Sequence, residues 1–213
     1  MPKIKWDVVV SEPFSENAYL VYLEGGDQCL IVDPGFDAES MIEKVQQEKL
    51  TPAAILNTHG HLDHIAGNEA LRRCWPELPI VIGRGDAPML TDPDLNLSTP
   101  FGMSVTSPPA DRLLDGGESY EEAGISWEIF DAPGHSPGHI LFVCKSEDPW
   151  IVLGGDVLFQ GSVGRTDFPG GNAAQLIESI RSTLLTFPDS TIVLPGHGPP
   201  TTIGAEKLIN PFI

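Results

Sequence analysis

Short apolar runs, broken at intervals by glycine, proline and acidic residues, run along the chain. Residues 8–10 and 18–23 read as short strands, Gly25-Gly26-Asp27 as a turn, and residues 29–32 as a third strand closed by Asp33-Pro34-Gly35. Ala38, Met41, Ile42, Val45 and Leu50 then recur at helical spacing, which predicts a helix over 37–49 with Asp37 as its cap. A buried strand over 53–56 runs straight into a histidine-rich segment, and a helix over 65–75 and a strand over 79–82 follow.

Residues 86–109 are rich in Pro, Ser, Thr and Asp and read as a long loop. Loops of that length inside compact domains are commonly lids, the alternative being a mobile surface excursion. After a turn at Gly116-Gly117, residues 125–130 alternate and residues 140–144 and 150–153 are apolar throughout. A helix over 172–185, a strand over 191–194 and a closing helix over 201–209 complete the reading. Runs of strands joined by turns argue against a purely parallel sheet. Two β-sheets with helices on their outer faces fit the pattern, an α/β (α+β) architecture.

The 213 residues include 41% hydrophobic and 20% charged residues, enough apolar material for a core without disulfide staples. The formal net charge of −18 disfavours nucleic acid and anionic membrane surfaces as partners. Cys29, Cys74 and Cys144 form no CxxC and lie in or beside apolar stretches, which predicts reduced core thiols in a cytoplasmic protein. Residues 1–10 lack the pattern of a signal peptide, and no apolar stretch is long enough to span a bilayer.

Candidate chemistry concentrates in Thr58-His59-Gly60-His61-Leu62-Asp63-His64. Four donors of the imidazole and carboxylate type lie there directly after a strand, and these are the ligands that zinc and similar ions prefer. An extended backbone would point 59, 61 and 63 one way and leave His64 to begin a turn, dividing the donors between two ions. Gly60 is expected to permit a tight bend, and Gly67 a close approach of the following helix. His135, Asp156 and His197 each follow a strand on a glycine-containing loop, so all can converge at one edge of a scaffold. Together the five histidines and two aspartates supply what a pair of ions with a bridging water requires. His139 reads as a residue that orients a ligand.

This spacing, HxHxDH followed by remote His, Asp and His, resembles the metallo-β-lactamase superfamily over nearly the whole chain. Residues 17–21 and 31–35 look like that family's opening strands. The resemblance implies a four-layer αββα sandwich of two mixed sheets flanked by helices, a single domain over 1–213. It implies one metal on His59, His61 and His135, a second on Asp63, His64 and His197, and Asp156 bridging them. Two divalent ions per chain are then expected, with zinc the first choice and iron or manganese admissible.

The segment 155–171 is most similar to short glyoxalase II-like proteins. Only 16 residues follow His197, so the C-terminal helical domain of full-length glyoxalase II is expected to be missing. The implied reaction is hydrolysis of a small-molecule thioester, such as a hydroxyacyl-glutathione, by a metal-bridging hydroxide. Asp63 would bind metal and orient the nucleophile. Arg165 would pair either with a substrate carboxylate or with Asp167, and Ser162 and Phe168 would line the pocket. Rival readings on the same fold are a persulfide dioxygenase with one iron, a lactonase or β-lactamase, and a metal-binding module without catalysis. Residues 161–163 and 169–171 look closer to the short hydrolases than to the dioxygenases.

Overall fold

The computed structural model describes residues 2–213. Its first sheet is built from β1 (Ile4–Ser11), β2 (Glu16–Leu23), β3 (Gln28–Val32), β4 (Thr51–Asn57), β5 (Ile80–Gly83) and β6 (Arg112–Leu114), in that order. The first three strands are antiparallel, and from β3 onward the pairing is parallel. The parallel crossovers carry α1 (Ala38–Glu48), α2 (Leu62–Ile65) and α3 (Asn68–Cys74).

The second sheet takes β7 (Ser119–Glu122), β8 (Ile125–Asp131), β9 (Ile140–Cys144) and β10 (Ile151–Gly155). A small hairpin of β11 (Leu158–Phe159) and β12 (Ser162–Val163) follows, then α4 (Ala173–Ser182), β13 (Ile192–Pro195), β14 (Thr201–Thr202) and α5 (Ile203–Ile209). The order across this sheet is β14-β13-β10-β9-β8-β7, with only β10 and β13 parallel. Both sheets are therefore mixed, as expected.

Side-chain alternation sorts the apolar residues into three packed layers. On β2, Tyr19 and Val21 face the space between the sheets, while Ala18 and Leu20 face α1 and its neighbours. On β9, Ile140, Phe142 and Cys144 point inward, while Leu141 and Val143 pack with Leu176 and Ile180 of α4. Central strands buried on both faces read as continuous apolar runs, which is why 140–144 shows no alternation in sequence. Trp127 and Phe142 fill the middle of the inter-sheet layer, edge to face at 6.4 Å. The arrangement is helix, sheet, sheet, helix. No helix among the described residues is long and apolar enough to cross a membrane.

Three local expectations need correction, and the long loop is settled against the mobile alternative. The helix predicted over 65–75 starts earlier and is broken: α2 opens at Leu62, inside the histidine motif, and α3 begins anew at Asn68. At the break, a Cβ on Gly67 would lie 2.7 Å from the Gly35 carbonyl oxygen, so the chain there passes too close for a side chain. Asp37 occupies the cap position of α1 but makes no capping bond. Its carboxylate instead accepts from the Glu12 amide at 3.4 Å. Cys74 is exposed at the end of α3, whereas Cys29 and Cys144 are buried. The loop over 86–109 is anchored: Asn96 donates to the carbonyls of Met89 and Val105 at 3.0 and 2.9 Å, and its own carbonyl accepts from Leu62 at 2.9 Å.

Burial pushes the Cys29 thiol up to about 12. At pH 8 a thiol reagent should therefore modify Cys74 quickly and reach Cys29 and Cys144 only after denaturation, as read by mass spectrometry. Phe142→Ala should lower stability by about 3–5 kcal/mol in urea denaturation, since it empties the centre of the inter-sheet layer.

Candidate metal centre

The site forms where strands of both sheets end together. The Ile140 amide at the start of β9 donates to the Thr58 carbonyl at the end of β4, at 2.9 Å. On the other side, Asn17 of β2 reaches the loop after β13. Its amide donates to the Gly196 carbonyl at 2.7 Å, and its side chain donates to the carbonyls of Pro195 and Gly198 at 3.0 and 2.7 Å. Donors from the loops after β4, β8, β10 and β13 meet in this seam.

His59, His61 and His135 form one group, and Asp63, His64 and His197 a second. In the first, the Nε2 atoms of His135 and His59 are 3.3 Å apart, and His61 Nδ1 is 2.8 Å from His135 Nε2. In the second, His197 Nε2 lies 3.4 Å from Asp63 Oδ2, and His64 Nε2 lies 3.9 Å from it. Asp156 stands between the groups. Its Oδ1 is 3.5 Å from His64 Nε2, and its Oδ2 is 3.5 Å from both His135 and His197 Nε2. Every sequence-predicted donor is therefore brought into one cluster. The expected extended run is not what divides them: His61 is the last extended residue, and Asp63 and His64 lie in the first turn of α2.

Second partners fix which ring nitrogen each histidine offers. His135 Nδ1 donates to the Arg165 carbonyl at 2.8 Å, which leaves a lone pair on Nε2. His59 Nδ1 lies 3.1 Å from the Thr58 hydroxyl, which itself donates to Asp33 at 2.7 Å. His59 therefore also presents a lone pair at Nε2. His64 Nδ1 donates to Asp33 at 3.1 Å. The Asp156 amide donates to His139 Nε2 at 3.1 Å, so His139 fixes the backbone of a donor, as expected of it.

Two imidazole lone pairs facing each other at 3.3 Å repel unless a cation lies between them. Donors held 2.0–2.2 Å from a tetrahedral ion sit roughly 3.3–3.6 Å apart, which matches most of the spacings in both groups. His64 Nε2 and Asp156 Oδ1, both turned toward the cluster, are buried without a hydrogen-bond partner. The donor set and the spacing fit divalent ions.

Around the first group and Asp156 the electrostatics agree. Burial and the neighbouring His135 hold His61 down to about 3, so that ring stays neutral. Burial and the adjacent histidines push His59 well below its usual range. Burial would raise the Asp156 carboxyl, but His64, His135 and His197 outweigh it and hold it well below the carboxylate range. His64 goes the other way: burial opposes its charge, yet Asp156 and Asp63 outweigh that and raise it.

Three acidic residues escaped the sequence reading. Asp33 orients His64 and Thr58. Asp86 is fully buried and accepts from the Gly60 amide at 3.2 Å, the Ser136 hydroxyl at 2.5 Å and the Gly138 amide at 2.6 Å. It thereby ties the histidine motif to the loop that carries His135. Gly60 is needed for that approach, because a Cβ there would lie 2.5 Å from Met89 Cβ. Glu16 is buried behind His64, its Oε1 4.0 Å from His64 Nδ1, with neither oxygen hydrogen-bonded. Burial pushes its carboxyl well up. An isolated acid in a turn or strand carries no spacing signal, so nothing in the sequence marks any of the three.

Above the donors opens a cleft of about 310 Å³. Asp63, Asp156, His61, His135 and His197 form its floor, and phenylalanines and Leu97 its walls. Arg165 lines it too, but its guanidinium donates twice to Asp167, at 2.8 Å each, which is the second of its two expected roles.

A family model described as the metallo-beta-lactamase superfamily matches residues 11–197. A Bacillus subtilis protein named probable metallo-hydrolase YqgX is 41% identical, over 99% of this chain and 98% of its own. Hydroxyacylglutathione hydrolase GloC of Haemophilus influenzae is 35% identical over 97% of both chains. Among solved structures, the BLEG-1 B3 metallo-beta-lactamase is 40% identical with a TM-score of 0.92, covering 98% of this chain and 99% of that one. TTHA1623 in a di-iron-bound form is 36% identical with a TM-score of 0.85, covering 97% and 100%.

Asp86→Ala removes one acceptor shared by two amides and a hydroxyl of the donor-bearing loops. Affinity for divalent cations, titrated calorimetrically into chelator-stripped protein, should fall roughly 10–100-fold. Unchanged affinity would show that the loops hold their positions without it.

Proposed function

The chain belongs to the metallo-beta-lactamase superfamily of metal-dependent hydrolases, and from that premise we propose that it cleaves an acyl thioester with the help of two bound ions. One observation carries the reading: two donor groups share Asp156 on the floor of an open cleft. His59, His61 and His135 would hold one ion, Asp63, His64 and His197 the other, and Asp156 both. Zinc is our first choice of metal, and the di-iron relative makes iron the competing one. When bound, such a pair supplies a water deprotonated near neutral pH and Lewis acidity toward a carbonyl oxygen.

The chain's own residues do the rest. Asp33, Thr58 and the Arg165 carbonyl hold the ring protons of His64, His59 and His135 on the nitrogens turned away from the floor. Asp63 lines the cleft, and its carboxylate would hold a proton of the attacking water and keep that water pointed at the substrate. Water adds its oxygen to the carbonyl carbon, the carbon–sulfur bond breaks, and one proton leaves on the thiol while the acid ionises. A thiol with a pKa of about 8.5 leaves without strong acid assistance.

The likeness to hydroxyacylglutathione hydrolase GloC supports a thioester substrate and makes S-D-lactoylglutathione the first compound to assay. The likeness to a B3 metallo-beta-lactamase favours a second reading, β-lactam hydrolysis, on the same floor. The unpaired cysteines suit a reducing compartment, in keeping with a cytoplasmic location.

Elemental analysis combined with parallel thioester and β-lactam assays tests the proposal. Two metals per chain and thioester turnover are expected, with His59→Ala and His197→Ala each losing at least about a hundredfold in kcat. A single iron with oxygen uptake on glutathione persulfide would overturn it.

A further inference from the structure

Around the donor floor, the cleft offers a substrate an aromatic wall and one cation that is already engaged. Phe14, Phe101, Phe159 and Phe168 ring the opening together with Leu97. Phe14, between β1 and β2, meets Phe101 of the loop after β5 edge to face at 5.4 Å, so two separate loops close one side. Among the described residues, Arg165 is the only lysine or arginine lining the cleft. Its Nε and one terminal nitrogen donate to the two oxygens of Asp167, and its guanidinium carbon lies 3.8 Å from the Phe168 ring centre. Two of its five N–H groups are given to a carboxylate of the chain itself, which offsets its charge, and its flat face is turned to an aromatic ring. A net charge of −18 offers no general attraction for anions to make up the difference.

We infer that the site selects thioesters whose acyl group and thiol carrier are apolar or uncharged, and that carriers bearing carboxylates or phosphates are disfavoured. The inference rests on the thioester reading above and narrows its substrate class. An apolar acyl group set against four phenylalanines gains in proportion to the surface it removes from water. A carboxylate brought to the same wall loses hydration and meets only one cation, whose charge Asp167 already offsets. Asp63 and Asp156 on the floor offset the charge of bound ions, so the pull on a distant anionic group is reduced. The reaction itself is unchanged: water and thioester give a carboxylate, a proton and a thiol.

One lactoyl group on two carriers, glutathione and the uncharged N-acetylcysteamine, tests this with the metal-loaded protein. We expect kcat/KM to be at least about tenfold higher on N-acetylcysteamine, with the difference in KM. Asp167→Asn removes the negative charge that offsets Arg165 and should shrink that ratio by roughly fivefold or more, through a lower KM for the glutathione thioester. Phe101→Ala should raise KM for a phenylacetyl thioester more than for an acetyl one. A glutathione thioester hydrolysed as well as or better than its uncharged counterpart would overturn the inference and leave the thioester reading standing. A ratio that Asp167→Asn does not move would overturn the role given to the ion pair. Turnover of β-lactams with neither thioester would sink the reading itself, and this inference with it.

Discussion

The structure depends on a seam. Two β-sheets whose facing surfaces are largely apolar are hydrogen-bonded backbone to backbone at one end, from Ile140 to Thr58 and from Asn17 to Gly196. Donor residues come from both sides of it: the histidine motif follows β4 of the first sheet, while His135, Asp156 and His197 follow strands of the second. Sheets that drifted apart by an ångström would leave two half-sites. The inter-sheet layer around Trp127 and Phe142 supplies the cohesion, and the seam sets the register in which that cohesion is useful.

Bringing five imidazoles and several carboxylates into a low-dielectric corner is unfavourable unless each has a partner. The chain meets this in layers. Asp33, Thr58 and the Arg165 carbonyl satisfy the outward sides of three donors and fix their orientation, and Asp86 braces the loops that carry them. The inward sides are left facing one another, an arrangement that suits cations and little else. Floor and walls therefore answer different questions. On the reading proposed above, the floor sets the class of chemistry, while the walls of phenylalanine and the Arg165–Asp167 pair select what reaches it.

Much of this was legible in the sequence, for particular reasons. The run from His59 to His64 is informative because its donors are close together, and the remote ones because each follows an apolar strand. The two-sheet architecture follows from the alternation and turn signals of the longer strands. The short strands β6, β7, β11 and β12 carry too few residues to show a period. The start of α2 inside the metal motif was missed because His-Leu-Asp-His reads equally as extended chain, and tertiary packing against the loop at Asn96 decides it. Asp33 and Asp86 act only through contacts made in three dimensions, which no local pattern reports.

The anchored loop after β5 divides labour along its length. Its base at Asp86 braces both histidine-bearing loops, Asn96 staples its middle to Leu62, and only its far part presents Leu97 and Phe101 to the cleft. Variation beyond the staple can thus reshape specificity while the ion cradle stays intact, whereas variation before it strikes catalysis at once. A fold wired this way offers natural drift, or a laboratory library, a short stretch of chain in which new substrates can be explored at little risk to the machinery beneath.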